Sequence, residues 1–428
     1  MSRMLGNFMQ RVSVLDKNKK SLMPCHPARA RQLLRDGKAA VFRRYPFTII
    51  LKYREGGNVQ DVRLKIDPGS KKTGVALVSE CKRGPKVIWA AEIEHRSEQI
   101  KRALEKRRAV RRSRRNRKTR YRKPRFLNRR RPEGWLPPSL ESRIVNIETW
   151  VRRLSKLSPV NAISLELVKF DTQKLQNPEI NGIEYQQGEL FGYEIREYLL
   201  EKWGRKCAYC GKTDLPLQIE HIVPKSRGGS DRASNLTLAC KKCNLAKGNK
   251  TAEEFGYLGI QKQAKKPLKD AAAINSIRWQ LFEQLKGFGF EIECGSGGRT
   301  KYNRIRQGYS KEHWIDAACV GKSGQKVYIP NLKPLQIRAM GWGNRLMCRM
   351  DKYGFPRTSA KSIKTVKGFQ TGDIVKAIVT KGKKIGTYVG RVAVRASGSF
   401  NIRIAKETVQ GISWKNCQLL QRIDGYSY

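Results

Sequence analysis

Apolar and polar positions alternate along the chain with periods that change from segment to segment. Residues 28–37 (ARARQLLRDG) predict a short helix closed by Gly37, and Val41–Phe42 and Phe47–Tyr53 read as strands ahead of a boundary at Gly56-Gly57. Val62 to Ile66 alternates and ends at Asp67. The turn Pro68-Gly69-Ser70 follows, and Gly74–Val78 and Lys86–Ile93 complete a β-meander with an acid on its first strand. Leu140 to Leu157 predicts an amphipathic helix, and Asn161 to Val168 a buried strand carrying Glu166. Tyr193, Arg196, Leu199, Leu200 and Trp203 recur at helical spacing, so the second half of 185–203 is expected to be helical. A helix at about Lys269–Lys286 leads to a strand at Phe288–Cys294, and Ser310 is expected to N-cap a helix holding His313 and Asp316. From Asp373 to Leu420, strand-like runs broken by glycine predict a small β-barrel. No internal repeat is visible.

Charge narrows the picture. The chain has 428 residues, enough for about three domains at roughly 150 residues each. Its 89 Lys and Arg against 36 Asp and Glu leave a formal charge of +53. Such a chain repels itself unless a polyanion neutralises it, which argues against a small-molecule enzyme and for a nucleic-acid partner. The charge is densest at 100–131, where good helix formers run without a breaker as far as Pro124. A long basic helix is expected from about Ser97 to Tyr121. No apolar run reaches the roughly 18 residues of a membrane span, and the N-terminus lacks the apolar core of a secretory signal.

Two cysteine pairs, Cys207/Cys210 and Cys240/Cys243, have the spacing of a closed tetrahedral Zn²⁺ site within a compact module at about 207–248. Paired thiolates of this kind indicate metal in a reducing compartment rather than disulfides. Between the pairs lie Glu220-His221-Ile222-Val223-Pro224, Gly228-Gly229-Ser230-Asp231 and Asn235, with Asn244 just after the last cysteine. This run resembles the HNH nuclease motif in its zinc-stapled ββα form. The resemblance implies that His221 is a general base, that Glu220 and Asn244 hold one Mg²⁺, and that Asn235 orders the loop. As neighbours on a strand, Glu220 and His221 point to opposite faces.

Three further acids stand far apart. Asp67, in Lys65-Ile66-Asp67-Pro68-Gly69-Ser70, resembles the first motif of an RNase H-like (RuvC) nuclease. Glu166 ends an apolar strand, and His313 and Asp316 share one helix face at i,i+3. In such a fold Asp67, Glu166 and Asp316 would hold two Mg²⁺ ions across a phosphodiester, with His313 positioning or activating the water.

The order of these segments, with the basic run after the first acid and the HNH run after the second, resembles the IscB family of transposon-associated RNA-guided nucleases related to CRISPR type II effectors. Ser21-Leu22-Met23-Pro24 is close to the family's PLMP signature, and residues 185–211 (YQQGELFGYEIREYLLEKWGRKCAYCG) look like its lead-in to HNH. The resemblance implies an α/β multidomain chain with a split RuvC core. The segments are an N-terminal PLMP-like domain (1–56), RuvC segment I (57–95), an arginine-rich bridge helix (96–131), RuvC segment II (132–200), an HNH domain (201–256), RuvC segment III (257–330) and a C-terminal region with the barrel (331–428). Arg107, Arg108, Arg111, Arg112, Arg114, Arg115, Arg117 and Arg120 would bind nucleic acid. The partners implied are a long structured guide RNA (omega RNA) and double-stranded target DNA. HNH would cut the guide-paired strand and RuvC the displaced strand, in a ribonucleoprotein with one protein chain in the prokaryotic cytoplasm, at the nucleoid. The barrel would read a short motif beside the target or serve as a general RNA-binding barrel; Lys381, Lys383, Lys384, Arg391 and Arg395 suit both. A guide-independent nuclease and a non-catalytic RNA-binding protein are the alternatives.

Overall fold

The computed structural model describes residues 10–81, 83–116, 135–167, 193–265, 271–341, 348, 350–353, 355–359, 363–404 and 407–428. Four strands come first: β1 (Val12–Leu15), β2 (Ser21–Cys25), β3 (Ala39–Arg43) and β4 (Thr48–Leu51), in the order β2-β1-β4-β3. Helix α1 (Pro27–Arg35) begins with His26 Nδ1 accepting from Ala28 N and buries Ala30 and Leu33 on this sheet. Its first two strands were not expected, because runs of four or five residues give too few periods to register.

The core is a seven-stranded sheet. It is built from β5 (Val62–Asp67), β6 (Lys72–Cys81), β7 (Gly84–Glu94), β8 (Val160–Glu166), β11 (Glu291–Gly295), β12 (Leu335–Ala339) and β20 (Tyr426–Ser427), in the order β11-β8-β5-β6-β7-β12-β20. The first three form the expected antiparallel meander; β8 runs parallel to β5, and β11 parallel to β8. β12 and β20 extend the β7 edge, so the region drawn as 331–428 contributes two strands to the core. Strands this short carry no legible period; their place is set by the open edge of β7.

One face of this sheet is covered by α3 (Pro138–Leu157), through Ile144, Ile147, Trp150, Val151 and Leu154, and by the described end of a later helix, through Ile277, Leu281 and Leu285. The basic helix α2 (Ser97–Asn116) starts beside α3, where Arg143 Nε donates to the buried Ser97 Oγ at 2.7 Å. The remainder of its expected span to Tyr121 lies outside the described residues. Among the described residues no helix is long and apolar enough to cross a membrane.

Helix α4 (Tyr193–Lys202) leads into the cysteine module, which holds the hairpin of β9 (Leu217–His221) and β10 (Leu236–Cys240) followed by α5 (Lys241–Lys247) and α6 (Ile260–Lys265). Helix α7 (Ala271–Lys286) returns the chain to the core. Helix α8 (Gly297–Arg306) was not expected. Ser296 caps it by accepting from Arg299 N, but its four Arg and Lys residues mask the apolar face. Helix α9 (His313–Ala318) packs on the second face of the core sheet through Trp314, Ile315, Ala317 and Ala318. The expected cap at Ser310 is corrected: Glu312 is the N-cap residue and makes no side-chain cap bond, because its carboxylate accepts from Trp314 Nε1 at 2.6 Å.

At the C-terminal end are the short hairpin β13 (Thr365–Val366) and β14 (Phe369–Gln370) and a five-stranded antiparallel sheet. Its strands are β15 (Ile374–Val379), β16 (Gly386–Ala393), β17 (Ser399–Ile404), β18 (Glu407–Ser413) and β19 (Cys417–Gln421), in the order β18-β17-β16-β15-β19 around a core that includes Val375, Phe400 and Ile402. Its edges are β18 and β19, so among the described residues strand pairing does not close the ring of a barrel.

Candidate active sites

The three separated acids meet. Asp67 ends β5 and Glu166 ends β8, and the register pairing Ile66 with Leu165 sets the two acids side by side. Helix α9 supplies His313 and Asp316 from across the sheet. Its approach depends on Gly74, where a Cβ would lie 1.8 Å from the His313 carbonyl oxygen. The four side chains line one cavity of about 130 Å³, together with Arg278 and Arg304.

The two arginines balance the acids. Arg278 donates to Glu166 Oε1 at 3.0 Å, and Arg304 Nε lies 2.9 Å from Asp316 Oδ1. His313 Nδ1 stands 3.9 Å from Asp67 Oδ2. Burial, then the neighbouring Asp67, pushes the Asp316 carboxyl up to about 6 against the pull of Arg304. The same two causes raise Glu166, opposed by Arg278. His313 is raised by the neighbouring Asp67 carboxylate. Burial is thus the first cause of both shifts, and Arg205, Lys301 and Lys311 line the same cavity; a bound cation would favour the charged forms of the two desolvated carboxyls. Sequence reading missed Arg278 and Arg304; the signal was a cation inside each apolar-periodic helix, indistinguishable there from the many surface arginines.

The second site is the cysteine module. The sulfurs of Cys207, Cys210, Cys240 and Cys243 lie within 4.8 Å of one another, and they are the one such cluster of ligand atoms among the described residues. Four thiolates at that separation suit a structural Zn²⁺, which would tie the 207–210 turn to the end of the β9–β10 hairpin. His221 closes β9, half-buried, with Nε2 at 2.8 Å from Asp231 Oδ1; Lys225 holds the other Asp231 oxygen at 2.7 Å. A carboxylate only accepts, so Nε2 carries a proton, and in the neutral ring Nδ1 is the nitrogen with the lone pair. Asn235 orders the loop: it accepts from Val223 N and donates to the carbonyls of Val223 and Ser230. Gly229 must be glycine, since a Cβ would meet the Val223 carbonyl oxygen at 1.8 Å.

Glu220 faces the other way. It is buried, accepts from Tyr209 Oη at 2.6 Å and from Lys247 Nζ at 2.6 Å, and Lys247 also donates to the His221 carbonyl. Asn244 is bound to Gln218 at 2.8 Å. The structure therefore brings Glu220 and Asn244 to the α5 side of β9, with His221 on the opposite face. Asp231 is the partner of His221 that sequence reading left without a role.

Arg107, Arg108, Arg111, Arg112 and Arg115 are exposed along α2. Arg117 and Arg120 lie outside the described residues, as does the Arg114 side chain. In the C-terminal sheet Lys381, Lys383, Lys384 and Arg395 are exposed, whereas Arg391 donates to the carbonyls of Gly372 and Tyr426 and ties that sheet to the core.

Comparison with known proteins adds to this geometry. The family model described as HNH endonuclease matches residues 207–250. The family model described as RRXRR protein matches residues 12–188, a span that includes Arg111-Arg112-Ser113-Arg114-Arg115 in α2. The CRISPR-associated endonuclease Cas9 of Actinomyces naeslundii is 41% identical over 58 residues, 13% of this chain and 5% of that protein. Streptococcus thermophilus Cas9 in complex with the GGAA PAM matches at 12% identity with a TM-score of 0.22, covering 60% of this chain and 32% of that one. The same protein in complex with the AGAA PAM gives a TM-score of 0.21 at the same identity. The chain thus spans a small part of the curated relative and about a third of these structures. It contains an HNH endonuclease domain, with distant sequence similarity to a Cas9.

Proposed function

We propose that this chain is an RNA-guided DNA endonuclease with two cutting centres, the HNH domain and the acidic cavity of an RNase H-like (RuvC) core. The observation that carries the reading is the convergence of Asp67, Glu166, Asp316 and His313 on one cavity from segments that the basic helix and the HNH domain interrupt. The strand order supports the RNase H-like assignment: three antiparallel strands, then two parallel to the first. The formal charge of +53 and the exposed arginines of α2 support a nucleic-acid cradle held by phosphates. Recognition of sequence by a paired guide explains why no array of base-reading helices is needed.

In the HNH centre, Asp231 fixes the His221 ring so that Nδ1 takes a proton from the water attacking the phosphodiester. Asn244, half-buried on α5 and bonded to Gln218, lies across β9 from that ring. In the cavity, Asp67, Glu166 and Asp316 offer the hard oxygen donors that suit Mg²⁺, and His313 stands where it orients a water toward Asp67. Mg²⁺ held by these acids would supply stabilisation of the charge on the attacking and leaving oxygens. Cys207, Cys210, Cys240 and Cys243 would hold Zn²⁺ as a cross-link with no chemical role. A chain with these partners and reduced thiolates belongs in the cytoplasm, one copy per RNA.

The test is to purify the chain from cells, sequence the RNA it carries, and challenge the complex with plasmids bearing the matching target beside a randomised flank. A discrete long RNA and Mg²⁺-dependent cutting at the match are expected. Cutting without any bound RNA would favour a guide-independent nuclease, and no cutting of any DNA would favour a non-catalytic RNA-binding protein.

A further inference from the structure

A second row of polar side chains lies directly beneath the acidic cavity. Strand register sets Lys65 of β5 opposite Ser164 of β8, and Ser164 opposite Glu293 of β11. Each stands two residues before the residue at cavity level, namely Asp67, Glu166 and Gly295. Alternate residues share a face, so both rows look toward α9, one about 7 Å below the other.

The lower row is bonded to the turn that follows α9. Lys65 is fully buried, and its Nζ donates to the Val320 carbonyl at 2.9 Å and to Ser323 Oγ at 2.7 Å. Glu293 accepts from Ser164 Oγ at 2.6 Å, from Ser323 N at 3.0 Å and from Ser323 Oγ. The fit leaves no room for adjustment. A Cβ on Gly295 would lie 2.6 Å from Gly321 N, and one on Gly321 would lie 2.5 Å from the Glu293 carboxylate. Helix α8 grips the same turn from outside, Asn303 Nδ2 donating to the carbonyls of Cys319 and Gly321 at 2.9 Å, next to the Arg304 that pairs with Asp316.

The opposite face of β5 and β8 is filled at these levels by Leu64, Ile66, Ile163 and Leu165, all fully buried. Apolar side chains could have filled the α9 side as well, often without loss of stability. What a bonded polar row adds is direction: it is satisfied in one strand register and at one height of the turn, and a one-residue slip would break every bond.

We propose that Lys65, Ser164, Glu293 and Ser323 are positioning residues that hold Asp67, Glu166 and Asp316 around one cavity so that together they can bind a divalent cation. The proposal rests on reading the acidic cavity as a metal-dependent centre. Its test is Mn²⁺ binding to the full chain, followed by the electron paramagnetic resonance signal of the free ion, with circular dichroism as the control for folding. Asp67→Asn removes one class of Mn²⁺ site and so identifies the cavity. Lys65→Met and Ser323→Ala are expected to keep the number of sites but weaken that class by about 10–100-fold. Ser323→Thr, which retains the hydroxyl, is expected to restore affinity. Wild-type affinity in Lys65→Met and Ser323→Ala, with loss in Asp67→Asn, overturns the positioning role and leaves the metal centre standing. No effect of Asp67→Asn overturns both. Should Lys65→Met not fold, the Ser323 pair decides: weakening by Ala with rescue by Thr supports the role, and no difference between them overturns it.

Discussion

His221 lies in the cysteine module and Asp67 in the cavity of the core sheet, so their losses should separate. His221→Ala removes the base whose ring the Asp231 bond orients through Nε2, and is expected to slow one strand's cut by about 10²–10⁴-fold while the other persists. Asp67→Ala is expected to do the reverse. Strand-specific labelling of a cleaved target reads both, and equal loss of both cuts from either change would contradict two independent centres. Glu220 poses a separate question at the same scale. Its carboxylate is paired with the fully buried Lys247 at 2.6 Å. Removing one partner of a buried pair strands the other, at a cost of about 3–5 kcal/mol. Lys247→Met is therefore expected to lower the melting temperature of the HNH domain, measured by calorimetry; an unchanged melt would mean that the pair adds little to stability.

Among the elements, the β9–β10 hairpin is the one that a metal held by the four cysteines would cross-link. Its two strands have five residues each, and isolated hairpins are marginal in water, so the hairpin draws its stability from the core it shares with α4 and α6. One Zn²⁺ per chain is expected by elemental analysis, and a strong chelator or Cys240→Ser should abolish the His221-dependent cut before the Asp67-dependent one. Helix α9 depends instead on a glycine. Gly74→Ala places a methyl against the His313 carbonyl, so it should displace α9 and suppress the Asp67-dependent cut with the HNH cut retained. The arginine-rich helix was legible from composition alone as far as it is described. Helix α8 was not, because Arg304 and its neighbours look like surface charge until the fold turns Thr300, Asn303 and Arg304 inward.

For the whole molecule, His95 joins parts that are distant in sequence. Its Nε2 bonds Thr73 Oγ1 at 2.8 Å, Asn146 Nδ2 approaches its Nδ1 at 3.4 Å, and Asn146 Oδ1 accepts from Tyr426 Oη at 3.1 Å. The ring therefore links β6 and β7 to α3 and to the last strand. Burial, with Arg143 nearby, pushes His95 down from 6.5 to about 3. Between those values the unfolded chain binds a proton that the folded chain refuses, so stability is present above pH 6.5 and falls as the pH drops toward 3. The loss is at most about 1.4 kcal/mol per pH unit. Wild type should lose more melting temperature between pH 7 and pH 5 than His95→Gln does; parallel losses would show that His95 does not carry the effect.

The sequence by itself determined the elements whose signal is local. Two cysteine pairs announce a zinc site because ligand spacing is a property of adjacent residues, and the Glu220–Asn244 run announces an HNH domain for the same reason. The meander strand ending at Asp67 and the strand ending at Glu166 are local patterns, and the charge needs no structure at all. Only the tertiary structure decided what depends on register and approach. It set Asp67 beside Glu166, brought α9 over Gly74, and gave Asp231 rather than Glu220 to His221. It also set the polar row of Lys65, Ser164 and Glu293 under the cavity and returned β20 to the core edge. Those facts follow from which strand lies next to which, and that order is chosen by burying the whole core at once, a sum to which residues hundreds of positions apart contribute together.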